Sequence, residues 1–320
     1  MIMAFNYNDP GNTGNTQQGQ QTQRTTQTAS TQNEVVLDEA TQTADANIKG
    51  LSETEIKNPD AIIVTVSDPK TPVVVLFGAR TSGKTMTLIR LTKYLEGMGY
   101  NVVPDPIFRP DTDTHYQRMC NEFGTLAHSD YAAVGNDVMS FMLVKVISPN
   151  GRTLCQILEA PGEHYFDADI PNRRFPAYIE NISHAIKNRK TWLFIVEENW
   201  GGSQTVRDLY AKKIQDMQRR IKPMDKIIFT CHKVDKSNHF RPDGRPNVSE
   251  IFKNIKNQYP HIFDRYVNRN PITRWFDPYK FDFVTFSAGT FNPTGDGRQV
   301  YTPGEDFYPE QLWRVIKKNI

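Results

Sequence analysis

Residues Gly78-Ala79-Arg80-Thr81-Ser82-Gly83-Lys84-Thr85 fit the pattern GxxxxGK[ST] at every fixed position. Each fixed residue has a chemical reason to be there. Gly78 and Gly83 let the backbone turn sharply and approach a phosphate closely. The loop's N–H groups and the N-terminus of a following helix present positive partial charge to an anion. Lys84 would bridge the two terminal phosphates, and the Thr85 hydroxyl would ligate Mg²⁺. The plain alternative is an ordinary glycine-containing turn between a strand and a helix. The flanks argue against it: an apolar β-branched run precedes the loop and an amphipathic stretch follows.

That run, Val73 to Phe77, reads as a strand buried on both faces. Leu88, Leu91 and Leu95 lie at helical spacing within Thr85 to Glu96, and Gly97-Met-Gly99 ends the helix. Ala61 to Val66 is a further strand candidate. Phe141 to Ile147 and Thr153 to Leu158 flank Ser148-Pro-Asn-Gly151, and Asn-Gly between apolar runs signals a hairpin. Helices are expected over Phe175 to Arg189, Thr205 to Ile221, Val248 to Gln258 and Pro309 to Lys318. Strands are expected over Trp192 to Val196, Lys226 to Thr230 and Phe281 to Phe286. Strands alternating with helices imply an α/β fold: a doubly wound, mostly parallel sheet with helices on both faces and one antiparallel hairpin. Residues 100–138 show no regular pattern.

Composition bounds the rest. Thirty-eight basic residues against 36 acidic ones leave a formal charge of +2, which excludes broad electrostatic binding to nucleic acid or anionic lipid as the main activity. No apolar run approaches the ~20 residues that span a bilayer. Cys120, Cys155 and Cys231 lie far apart without a CxxC pair, so neither a structural zinc site nor a disulfide framework is expected, and a reducing, cytoplasmic setting is. The first residues show no signal-peptide pattern, and no lipidation motif is visible. Between Gly11 and Asn33, 17 of 23 residues are Gln, Asn or Thr. Such a segment has too little to bury to offset its ordering entropy, so residues 1–48 are expected to form a disordered tail. Residues 58–320 are expected to form the folded domain.

With these residues in place, the chain resembles the Ras-like and translation-factor-related P-loop GTPases over residues 73–320. Four of the five family motifs occur in family order. The first is the phosphate loop. Glu159-Ala-Pro-Gly162 stands where the family has Asp-x-x-Gly, His232-Lys233-Val234-Asp235 where it has Asn-Lys-x-Asp, and Ser287-Ala288-Gly289 where it has Ser-Ala-Lys or Ser-Ala-Leu. The second motif, a switch threonine, has Thr125, Ser129 and Ser140 as candidates. The resemblance implies GTP or GDP with Mg²⁺ as ligands. Thr85 and Glu159 would hold the metal, although Glu159 is one methylene longer than the family Asp. The Gly162 amide would meet the γ-phosphate. Asp235 would accept two hydrogen bonds from guanine, a pair that adenine does not offer. Lys233 would lay its stem along the base, the Ala288 amide would meet the guanine oxygen, and His232 would replace the Asn that ties this loop to the phosphate loop.

Hydrolysis needs a positioned water, Mg²⁺ and added positive charge at the transition state. Lys84, Glu163 and His164 are the catalytic candidates. Glu163 could orient water but adds negative charge beside the phosphates, so slow intrinsic hydrolysis is expected. Arg80 could supply charge in cis, and is read as pointing to solvent. Residues 100–138 and 163–174 would be the switch regions, and residues 236–280 an accessory insertion whose dense aromatics pack a small core of their own. The function implied is a slow GTPase switch engaging a protein effector or activating partner. Two alternatives stand beside it: an ATP-using P-loop kinase or ATPase, and a pseudo-GTPase that binds nucleotide structurally.

Overall fold

The computed structural model describes residues 51–128, 141–276, 278–293 and 299–320. The expected tail over 1–48, and the switch candidates Ser129 and Ser140, lie outside them. The strands are β1 (Val73–Phe77), β2 (Asn101–Pro104), β3 (Met142–Ile147), β4 (Thr153–Glu159), β5 (Lys190–Glu197), β6 (Lys226–His232), β7 (Asp282–Thr285), β8 (Gly289–Pro293) and β9 (Gln299–Pro303). The helices are α1 (Glu53–Lys57), α2 (Lys84–Gly97), α3 (Thr114–His128), α4 (Gly162–Tyr165), α5 (Ala177–His184), α6 (Gln204–Arg220), α7 (Val248–Gln258), α8 (Pro271–Phe276) and α9 (Phe307–Asn319).

Seven strands form one sheet in the order β2-β3-β4-β1-β5-β6-β7. β4, β1, β5, β6 and β7 run parallel, while β3 pairs antiparallel with both β2 and β4. Every residue of β1 and β5 is buried. Neighbouring strand residues point to opposite faces, so both faces of the sheet centre are covered. On one face Phe77 meets the rings of Tyr165, Phe175 and Tyr210 at centroid distances of 4.7, 6.1 and 6.5 Å. The fold class is the one expected: a doubly wound, mostly parallel α/β sheet with an antiparallel hairpin. The β3–β4 turn forms where Asn150-Gly151 predicts it, with Gly151 at φ 82° and Ser148 N donating to Arg152 O at 2.9 Å.

The structure departs from the sequence reading in four places. Ala61 to Val66 is not a strand. Ala61 N and Ile62 N close a turn by donating to Asn58 O and Pro59 O, and beyond it Thr65 N donates to Phe108 O, which is not a strand ladder. Residues 100–138 are not irregular where they are described: they hold β2 and the fifteen-residue α3. In α3, Tyr116, Met119, Phe123 and Ala127 form a buried stripe at helical spacing, and Asp113 Oδ1 accepts from Tyr116 N at the helix start. Thr125 sits on this helix and is exposed. The helix expected from Phe175 covers only α5, since Phe175 and Pro176 precede its first turn. A second hairpin, β8–β9, follows the last sheet strand.

Among the aromatics of 236–280, Phe252 and Phe263 stack 5.0 Å apart, and Phe263 meets Phe229 of β6 at 4.8 Å. This region therefore extends the main core rather than forming a separate one. Among the described residues, no helix is long and apolar enough to cross a membrane.

Candidate nucleotide site at the carboxyl ends of the strands

β1 sits between β4 and β5, and the chain leaves its carboxyl end through Gly78 to Gly83 into α2. In open α/β sheets the ligand crevice forms at such a place. A cavity of about 530 Å³ opens there. The loop's shape is set by Thr81 at φ 60° and Gly83 at φ 91°. Only glycine adopts the second angle freely, and a β-carbon on Gly83 would stand 2.7 Å from the His232 ring. Gly78 packs on the Ser82 side chain, so neither borders the cavity. Ala79 contributes its carbonyl, which accepts from Lys84 Nζ at 3.2 Å.

Lys84 is buried with its ammonium at the loop, and burial lowers its pKa against the pull of the Glu159 and Glu163 carboxylates. Glu159, at the end of β4, is also buried. Its Oε1 accepts from the Thr85 hydroxyl at 3.0 Å, and its Oε2 has no partner. Burial raises its pKa to about 8, opposed by Lys84 and Thr85. The two groups are pushed toward their neutral forms for the same reason: burial removes solvation that the charged form of each would need.

Pro161 and Gly162 cross the cavity next. A one-turn helix, α4, then places Glu163 on the wall and His164 largely inside. His164 Nδ1 lies 2.8 Å from the Tyr178 hydroxyl, and burial lowers its pKa to about 4, so it is neutral near pH 7. Arg80 and Arg173 both border this end. Arg80 is exposed, as expected. Arg173 was not foreseen; it comes from the loop after α4, and among the described residues its guanidinium forms no ion pair.

At the other end, His232 closes β6. Its Nε2 is 2.7 Å from Thr87 Oγ1, and that hydroxyl donates to Gly83 O at 2.8 Å. With the hydroxyl proton spent on Gly83, the Nε2–H must be the donor to Thr87. The tie between this loop and the phosphate loop therefore exists, made through α2. Lys233, at φ 55°, turns its ammonium to Glu197 Oε2 at 2.8 Å. Asp235 Oδ1 accepts from the Ser287 hydroxyl at 2.6 Å. Ser287 is buried behind Asp235, while Ala288 borders the cavity.

The structure thus brings thirteen of the expected residues to one cavity, with Gly78, Ala79, Ser82 and Ser287 shaping it from behind. Sequence reasoning missed Leu51, Ile56 and Pro59, which line the same cavity from before β1. Arg109 fixes that segment by bonding Glu55 at 2.5 Å and Asp113 at 2.8 Å. Phe291 of β8, also on the lining, was missed as well. Among the described residues, no three His, Cys, Asp or Glu side chains converge on one point. Mg²⁺ keeps several waters and takes one or two protein oxygens. The Thr85 hydroxyl and the orphaned Glu159 oxygen are such a pair.

No protein-family model matches the chain, and no curated protein does. Among solved structures it is similar to nucleolar GTP-binding protein 1 of Plasmodium falciparum, at 14% identity over 70% of this chain and 79% of that one, with a TM-score of 0.32. It is also similar to the GTPase-like domain of Ski7 from S. cerevisiae, bound to GDP and inorganic phosphate, at 14% identity over 78% of this chain and 50% of that one, with a TM-score of 0.38. The sheet order and the strand–loop–helix at Gly78 to Thr85 stand independently of these likenesses: a mostly parallel α/β sheet whose first strand leads through a GxxxxGKT loop into a helix.

Proposed function

We propose that the chain binds guanine nucleotide with Mg²⁺, hydrolyses GTP slowly, and acts as a switch toward a protein partner. One observation carries the reading: a single cavity is lined both by Lys84 and Thr85 of the GxxxxGKT loop and by Lys233 and Asp235 of the HKVD segment. Asp235 is held by Ser287 through one carboxylate oxygen, which limits its rotation. A carboxylate there favours guanine, whose N1–H and amino group both donate. The likeness to GTP-binding proteins is consistent with this reading.

Thr85 and Glu159 would hold Mg²⁺, which supplies charge neutralisation at the terminal phosphates. Lys84 regains its full charge when an anion arrives, because the phosphate replaces the lost solvation. The backbone around Gly162 stands beside the loop, where it would sense a terminal phosphate. Glu163 is the wall residue best placed to accept a hydrogen bond from water. His164 is occupied with Tyr178 and acts as support. Glu163 adds negative charge beside Lys84 and the reacting phosphate, and this is why slow hydrolysis is proposed. Arg80 and Arg173 are the chain's own sources of offsetting charge.

The switch reading rests on connections at the phosphate end. The segment before β1 is bonded to the first expected switch region through Glu55–Arg109–Asp113. It also meets the start of α5, where Asp60 Oδ1 accepts from Ala177 N at 2.8 Å. A change at the terminal phosphate would reach all three segments.

The test is equilibrium binding of fluorescent GTP, GDP and ATP analogues with Mg²⁺, with Lys84→Ala as control. Guanine binding lost in the control supports the proposal, and phosphate release then separates a slow GTPase from a pseudo-GTPase. Preference for ATP moves the chain to the ATP-using class. No binding to any analogue overturns the reading.

A further inference from the structure

We propose that Phe291, carried by the β8–β9 hairpin, forms the aromatic wall on which the nucleobase stacks. The inference rests on the reading that a nucleotide fills the cavity. It does not depend on which base is preferred.

Phe291 lines the same cavity as Lys233, Asp235, Ala288 and Gly289, and follows the last of these by two residues. The chain reaches it by an abrupt turn. Gly289 has φ 134°, and a β-carbon there would overlap the Thr302 carbonyl and stand 2.6 Å from Gly304 N. No side chain fits in that space, so the hairpin begins directly at the residue that lines the base end. Ala288 O then accepts twice from the returning strand and beyond, from the Tyr301 hydroxyl at 2.7 Å and from Gly304 N at 3.1 Å.

The hairpin is also braced by the helix that starts in the phosphate loop. The guanidinium of Arg90, buried on α2, donates to Gly304 O at 2.8 Å and to Asp306 at 2.5 Å. Lys93, one turn on, lies over the Tyr301 ring at 5.3 Å. One rigid element therefore fixes both the phosphate end and the position of Phe291.

Across the hairpin Phe291 pairs with Tyr301, ring centroids 5.4 Å apart. Tyr301 is buried, whereas Phe291 is 37% exposed. A scattered exposed Phe is ordinary on a protein surface. This one differs because it lines a concave cavity of nucleotide size together with the Lys233 and Asp235 side chains. A flat base would cover that apolar ring and replace the water on it. Base–aromatic stacking tolerates any base because every base has a π-face.

The test is titration calorimetry of the full chain with GDP, ADP and inorganic tripolyphosphate, on wild type, Phe291→Ala and Phe291→Tyr. The proposal expects Phe291→Ala to weaken binding of the preferred nucleoside diphosphate about 10-fold or more. Tripolyphosphate, which has no base, should bind equally to all three proteins, and Phe291→Tyr should stay within a few-fold of wild type. Unchanged nucleotide affinity in Phe291→Ala overturns the proposal and leaves guanine binding standing. So does an equal loss for tripolyphosphate, which would mark a collapsed site. A wild type that prefers ADP while Phe291→Ala still loses affinity overturns the guanine reading alone. A wild type that binds neither nucleotide overturns both.

Discussion

Gly162 lies against the backbone of Arg80: a β-carbon on Gly162 would overlap the Arg80 amide nitrogen and stand 2.5 Å from both Arg80 Cα and Ala79 C. The end of β4 and the phosphate loop are therefore in direct backbone contact. Neither side can yield by rotating a side chain. The contact is made where a terminal phosphate would arrive, so the two loops cannot move independently there.

Gly162→Ala should separate these loops. Forcing a methyl group between two backbones costs about 1–3 kcal/mol, and a domain of this size loses roughly 2–4 °C of Tm for each kcal/mol. A drop of several degrees is expected in differential scanning calorimetry, together with weaker tripolyphosphate binding. A variant with wild-type Tm and wild-type tripolyphosphate affinity would show that the loops separate freely.

His232 gives the fold an acid-sensitive joint. Burial lowers its pKa to about 3, with the neighbouring Lys233 charge adding to the effect. The unfolded chain takes up this proton near 6.5. Between these values the unfolded state binds more protons, so acid favours unfolding. The stability it contributes is complete above about 6.5 and is lost as pH falls toward 3. His164, lowered to about 4, acts in the same direction over much of that range. His232→Asn should therefore lose less stability than wild type between pH 6.5 and 4.5, by on the order of 2–3 kcal/mol, without abolishing the slope. Urea titrations at the two pH values measure this. Parallel losses in the two proteins would place the His232 ring in water.

What the sequence disclosed and what it hid divide along the range of the interactions. The phosphate loop and the Asn150-Gly151 turn are local in chemistry, so pattern alone located them. β1 was legible because five consecutive apolar residues leave few alternatives to a strand buried on both faces. α3 was hidden although its signal was present: Tyr116, Met119, Phe123 and Ala127 lie at helical spacing, but His115, Gln117 and Arg118 between them dilute it. β2 is four residues long and exists only because β3 offers an edge. Leu51, Ile56 and Arg173 reach the cavity through tertiary contacts that no window of sequence contains. Phe291 belongs with them, since its hairpin depends on Gly289 and on Arg90, 201 residues earlier in the chain (291 − 90).

Asp235→Asn should exchange base preference. The amide presents a donor where the carboxylate accepted, so guanine loses at least one bond and leaves a donor facing a donor. Sites that depend on such bonds discriminate by about 10⁴-fold, and a loss of roughly 100-fold or more in GDP affinity is expected, with xanthosine diphosphate now preferred. Ser287 should keep its bond, because the remaining Asn oxygen can accept from its hydroxyl. Competition calorimetry with the two nucleotides reads the result. Equal loss of both would assign Asp235 to holding the loop and not to reading the base.

Glu159 should govern the dependence of nucleotide binding on Mg²⁺. Its Oε1 is engaged by Thr85, and its buried Oε2 lacks any partner. A buried oxygen without a partner carries the full cost of desolvation, and a divalent cation bound beside it would remove that cost. GTP affinity of the wild type should fall when EDTA removes Mg²⁺. In Glu159→Gln, which keeps an oxygen for the Thr85 bond but has lost the charge, Mg²⁺ and EDTA should give nearly the same affinity. Glu159→Asp should retain the Mg²⁺ effect in weakened form, because its carboxylate stops one methylene short. If Glu159→Gln responds to Mg²⁺ as strongly as the wild type, the cation is held by Thr85 and phosphate alone, and the orphaned oxygen is a structural cost of the buried strand end.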